Sequence, residues 1–210
     1  MSRRFFRQCL APVVAAAAFA ATGPAFGEAQ DFDFTDPKGV NALAISLDSE
    51  LEPIVAIAGD LSGVVNYDPD APAGLSGEIV APVTGIQFAN PRMSGVLQGA
   101  NWLDAEQFGQ IKFVLDNVQV ATAGEDGVAT LAVPGKILYG NLEIDKTIEL
   151  RAHHLPDAAA QRGGAEAGDL LVLRTSFTVT REDFNLQPEL SEDKVANEIR
   201  IDVMIVGYSQ

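Results

Sequence analysis

Cysteine is almost missing: the 210 residues contain one, Cys9. It falls in a stretch read below as an export signal. The chain beyond it therefore has no thiol, no disulfide and no cysteine-based zinc or iron–sulfur site. Histidine is nearly as scarce, with only the adjacent His153 and His154. Neighbours on a strand point to opposite faces, so these two do not readily share a metal, and no metal site is expected. There is no G-x-S-x-G elbow and no P-loop. No nucleophile–base pair stands out, so no catalytic residue is assigned and an enzyme is not expected. Positive charge is also short, with 14 Lys and Arg against 29 Asp and Glu. A chain so acidic repels nucleic acid and anionic lipid surfaces. The acids are scattered and not clustered in runs, as a solvated surface requires.

Long apolar runs are absent except near the start. Arg3, Arg4 and Arg7 precede the uncharged, alanine-rich segment Leu10 to Ala21. That segment is too short to span a bilayer, and no second apolar run follows. Ala25 and Gly27 place small residues three and one before Glu28, as a signal peptidase requires. Residues 1–27 thus read as a cleavable signal, with cleavage after Ala29 as the alternative, and a periplasmic protein is expected. Ser2-Arg3-Arg4-Phe5-Phe6 is similar to a twin-arginine signal, so both the general secretory and the twin-arginine routes stay open. Phe6, Arg7 and Gln8 before Cys9 do not form a lipobox, so neither a lipid anchor nor stable membrane insertion is expected. Removing the three arginines leaves 11 basic residues against 29 acidic ones, a net charge of −18 on about 183 residues. That length suffices for one substantial core held by burial alone.

What is present is alternation with a period of two. Ile111, Phe113 and Leu115 share one face. Leu171, Leu173, Thr175, Phe177 and Val179 do so in a second segment, and Ile199, Ile201, Val203 and Ile205 in a third. Ile148, Leu150 and Ala152 alternate with Glu149, Arg151 and His153. Turn residues separate the runs at 68–72, 124–127, 140–141 and 163–164. Eight strands are expected near 40–49, 53–67, 75–88, 110–121, 127–139, 142–153, 169–180 and 195–208. Asp145-Lys146 is an alternative turn within the sixth. Asn90 to Phe108 breaks the pattern and reads as short helical turns folded over an end of the sheet. Pro156 to Gly168 reads as a mobile small-residue loop. Eight antiparallel strands of this length, at ~3.3 Å per residue and tilted ~40°, close into a barrel about 25–35 Å tall. A two-sheet sandwich gives much the same pattern.

Four blocks then resemble, in order, the YceI-like family. They are Asn90-Pro91-Arg92-Met93 with Leu97; Asn101 to Phe113 (NWLDAEQFGQIKF); Phe177 to Phe184 (FTVTREDF); and Glu198 to Val203 (EIRIDV). The chain departs from the family at Val96, where a histidine is common, and at Gly109, where a proline is common. It departs again over Gly140 to Lys146. The resemblance implies an all-β, eight-stranded antiparallel lipocalin-like barrel over residues 28–210, with a short helical segment near 92–108. It also implies a periplasmic protein that binds polyisoprenoids, with a long-chain apolar molecule as partner; whether the chain is a monomer or a homodimer stays open. No cofactor is expected beyond a bound isoprenoid lipid or quinone. The expected lining is Phe113, Leu115, Ile148, Leu150, Leu173, Phe177, Ile201 and Val203, under a lid of Met93, Leu97, Trp102 and Phe108. Ordinary packed core is the competing reading for each. The other reading of the whole is a filled, ligand-free interaction module in an envelope stress response.

Among the polar residues, Arg174 and Arg181 fall in or at the end of an apolar strand. For Arg181, an ion pair with Glu182 or Asp183 competes with a head-group contact at the barrel mouth. Asp104 and Glu106 are expected to cap or solvate a short helix beside Trp102 and Phe108, with a carboxylate pair for acid–base work as the competing reading.

Overall fold

A computed structural model of the chain describes residues 29–116, 118–124 and 126–210. The expected export signal at residues 1–27, Cys9 with it, lies outside the described residues, as does Glu125 of the expected 124–127 turn.

The strands are β1 (Gln30–Asp33), β2 (Ala42–Leu47), β3 (Ile54–Ala58), β4 (Ser62–Tyr67), β5 (Ser76–Pro82) and β6 (Ile86–Phe88). They continue with β7 (Gln110–Leu115), β8 (Val120–Ala123), β9 (Val128–Tyr139), β10 (Leu142–Leu155), β11 (Leu170–Thr180) and β12 (Glu198–Ser209). Helix α1 (Pro91–Gln98) and the one-turn α2 (Ala159–Arg162) complete the main elements. Eight strands form a closed antiparallel ring in the order β1-β4-β5-β7-β9-β10-β11-β12, with β12 returning to β1.

The other four strands lengthen that ring. β2 pairs with β12 over Arg200 to Met204, above the β1 contact at Tyr208 and Ser209. β3 pairs with β2 as β4 does with β1, and β6 pairs with β3 as β5 does with β4. β8 takes the N-terminal half of β9 and β7 the C-terminal half. The barrel therefore has eight staves, four of them broken once. The expected runs 53–67, 75–88 and 110–121 are each two strands. The break in the first carries Asp60 at φ +55°, and that in the second is a 3₁₀ turn at Val83–Gly85. β1 was not expected. Its sequence, Gln-Asp-Phe-Asp, has a single apolar residue, too few to show alternation, yet Phe32 is fully buried.

The turn between β9 and β10 is at Gly140–Asn141, and Asp145 and Lys146 sit inside β10. Gly140 has φ +56°, where a side chain is strained, and a Cβ there would lie 2.9 Å from the Phe108 ring. One end of the barrel is filled. Phe32, Phe34, Tyr67, Leu131 and Leu171 are among its wholly buried side chains. The expected mobile loop at 156–168 lies at this end and is fastened. The Arg162 guanidinium donates to both Asp36 carboxylate oxygens, at 2.7 and 2.9 Å, and to the Tyr208 hydroxyl. Its Cζ lies 5.2 Å from the Tyr208 ring centre. Asp36 also accepts the amides of Lys38, Val40 and Asn41. The Arg162 bond, opposed by burial and aided by the Val40 and Lys38 amides, holds the Asp36 carboxyl well below the usual carboxylate range.

Candidate functional site

The opposite end is hollow. Inward residues of β2, β5, β7, β9, β10, β11 and β12 enclose an inner chamber of about 130 Å³. Beyond it, under α1, lies an outer chamber of about 310 Å³. Ile45, Ile86, Ile111, Phe184 and Ile201 line both, so the two adjoin across a ring of apolar side chains.

Most of the expected lining sits in these chambers. Phe113, Leu115, Ile148, Leu150, Leu173, Phe177 and Val203 line the inner one, and Ile201 lines both. Met93, Leu97 and Trp102 line the outer one, beneath and beside α1. Phe108 is a correction. It lines neither chamber and packs edge-on against Tyr139, with ring centres 5.6 Å apart, over Gly140. The small glycine leaves a seat for the ring outside the cavity.

Sequence reasoning missed Ile45, Ile54, Ile86, Phe88 and Phe184 in the lining. Ile111 was also left out of the expected lining, although its shared face with Phe113 and Leu115 was a signal for it. Ile86 and Phe88 lie on a strand of three residues, where period-two alternation cannot be seen.

Helix α1 begins where its sequence says it should. Asn90 accepts the Arg92 amide at 3.1 Å, and Pro91 takes the first helical position, where its missing N–H costs nothing. Asp104 and Glu106 are therefore not its cap; Asp104 sits beyond the helix at φ +42°. α1 is bonded onto β6. The Ser94 hydroxyl accepts the Phe88 amide at 2.9 Å, and Gln98 donates to the Ile86 carbonyl at 3.1 Å. Among the described residues β6 pairs with β3 alone, so these side chains cover an otherwise open edge.

The mouth is closed on its other side by the segment 182–197, which Arg181 organises. Arg181 is 3 % exposed. Its guanidinium donates to the carbonyls of Leu186, Gln187, Leu190 and Ala196, at 2.7–3.2 Å. The ion pair expected with Glu182 or Asp183 is not formed; the acceptors are backbone. Ser49 joins the same segment to the β2–β3 turn by accepting the Ala196 amide at 2.8 Å. Arg174 is on the outer wall, exposed opposite Arg151 and Met204, and does not reach the mouth.

The site has little chemistry. Charged lining is confined to Glu52, Arg92 and Arg181 in the outer chamber. Among the described residues, no group of three His, Cys, Asp or Glu could hold a metal ion. His153 and His154 lie at the filled end, where His154 is 2.9 Å from Asp169. Burial tends to raise the Asp169 carboxyl, but the Asp157 amide and His154 outweigh it and the group is lowered. Asp36, Asp169 and the buried, upward-shifted Tyr67 and Tyr139 all lie outside both chambers.

A model of the YceI-like domain matches residues 46–206. The chain belongs to the YceI-like domain family. Every residue lining either chamber falls within the matched span except Leu43 and Ile45. The YceI-like barrel also has solved counterparts. BcnA of Burkholderia cenocepacia is 20 % identical, with a TM-score of 0.62 over 79 % of this chain and 95 % of that one. A Campylobacter jejuni YceI protein is 13 % identical, with a TM-score of 0.59 over 77 % and 86 %. A polyisoprenoid-binding domain from Saccharophagus degradans, implicated in plant cell wall breakdown, is 8 % identical, with a TM-score of 0.61 over 87 % and 100 %. At these identities the likeness concerns the fold. No functionally curated protein matches the sequence.

Proposed function

We propose that this YceI-like protein is a periplasmic lipid-binding protein that holds a long isoprenoid-type chain in its barrel, as a carrier or a sequestering agent, and is not an enzyme. The observation that carries the reading is the pair of adjoining apolar chambers behind a helical lid. A filled module would have no use for them. The family and the Saccharophagus degradans neighbour support the same ligand class. The lining supports binding over catalysis: its charged residues are confined to Glu52, Arg92 and Arg181 in the outer chamber, and the inner chamber has a single polar residue, Thr175.

The energetics suit a carrier. At ~0.8 kcal/mol per buried CH₂, about ten such groups contribute roughly 8 kcal/mol before chain ordering is subtracted. Micromolar affinity is therefore the upper bound set by about ten such groups, and tighter binding needs more of the chain buried, with no polar contact required.

Trp102, the only tryptophan, lines the outer chamber, so its fluorescence reports on occupancy. Titration with a C20 isoprenoid alcohol should change its emission saturably. Ile201→Phe narrows the ring between the chambers and should weaken binding at least tenfold while the fold is kept, at a packing cost of about 1–3 kcal/mol. Equal affinity in the variant would sink the barrel site. For the location, N-terminal sequencing of protein from the periplasmic fraction should begin at Glu28; an uncleaved cytoplasmic chain would overturn it.

A further inference from the structure

Thr175 is the anomaly of the inner chamber. Eighteen of the nineteen residues lining it are apolar, and Thr175 is the exception. It faces inward on β11 between Leu173 and Phe177, and lies opposite Val203 on β12. Its Oγ1 is buried and has no hydrogen-bond partner among the described residues; no other buried side-chain N or O atom described lacks one. An orphaned hydroxyl normally marks lost stability, because its bonds to water are not replaced. Valine, with nearly the same shape, would remove the loss. A water is a poor substitute here, since a buried water needs two to four polar partners and this wall offers one.

We propose that Thr175 is a hydrogen-bonding anchor for an uncharged oxygen of the ligand, a carbonyl or a hydroxyl, carried into the inner chamber. The proposal rests on the cavity being a lipid site. A hydroxyl both donates and accepts, so either oxygen type satisfies it. As it stands Oγ1 is shielded from the open space of the chamber, and the anchor requires the side chain to turn about χ1 to another staggered well when ligand enters. The oxygen is uncharged because the inner lining holds no counter-ion, and an unpaired charge does not enter a dry apolar space. The ligand then lies oxygen end inward, with its apolar remainder in the larger outer chamber under α1.

The test compares two probes, geranylacetone and the hydrocarbon in which a methylene replaces its carbonyl, on the wild type, Thr175→Val and Thr175→Ser. The wild type should favour the ketone over the hydrocarbon more strongly than Thr175→Val does, by about three- to tenfold. Thr175→Ser should keep the preference, and ligand-free Thr175→Val should melt no lower than the wild type. A ketone-to-hydrocarbon ratio unchanged in a folded Thr175→Val overturns the anchor and leaves the cavity reading standing. Should Thr175→Val not fold, Thr175→Ala is read by the same ratio. If neither probe binds the wild type, the lipid site fails, and the anchor with it.

Discussion

Arg181 shows how one residue can be misjudged from its neighbours. Its sequence context, followed by Glu182 and Asp183, suggests an ion pair. Instead, the guanidinium fans out over four backbone carbonyls and shapes the segment that walls the mouth. Arg181→Met should cost roughly 3 kcal/mol, read as a lowered urea midpoint, because buried carbonyls lose their donors. Arg181→Lys should not rescue it, since an ammonium cannot reproduce the planar fork. A midpoint within error of the wild type would contradict this role. At the other end, Asp36 makes a prediction about acid. Its side chain is 3 % exposed and its pKa is depressed. Its pairing therefore contributes stability in full above the unfolded-state value of ~3.9, and loses it as pH falls from there toward the lower folded value. Asp36→Asn should be less stable than the wild type by roughly 3 kcal/mol at neutral pH, with the gap closing below pH ~4. Parallel stability curves down to acid pH would rule this out.

Among the elements, α1 decides whether the cavity is accessible. It is held to β6 chiefly by Ser94 and Gln98, and its Met93 and Leu97 roof the outer chamber. Ser94→Ala removes the acceptor of the Phe88 amide. Amide exchange at Phe88 should quicken and ligand release should speed up several-fold, for about 1 kcal/mol of overall stability. Unchanged exchange at Phe88 would show that α1 is held by other contacts. The helix was partly legible in the sequence. Asn90-Pro91 is a start signal, and the departure from alternation over Asn90 to Phe108 marked its place. Its extent was not legible, because Asp104 and Glu106 look like cap residues while Asn90 is the cap. The long strands β9 to β12 were legible to within a few residues, because each alternates over ten or more positions. β1 was not, and β6 and β8 were not separable from the longer runs expected over 75–88 and 110–121, because three or four residues are too few to show a period and their place is set by pairing with distant strands.

For the whole molecule, eight staves were readable although four of them are broken, since a broken stave still returns its apolar residues to one face. The side of the barrel on which a residue lies was therefore readable as well, and most of the expected lining does face inward. Depth along the barrel was not readable. Nothing in the alternation tells the packed end at Phe32 and Tyr67 from the hollow end at Ile201, and Phe108 was placed with the lid because its seat over Gly140 is a contact between segments far apart in sequence. The central claim is that the hollow end holds a lipid. Native mass spectrometry of the purified protein, paired with organic extraction of the same sample, tests it most directly. The account predicts a species heavier than the ligand-free chain by the mass of one long-chain lipid, and the same lipid in the extract. Only the ligand-free mass, with an extract empty of lipid, would contradict it.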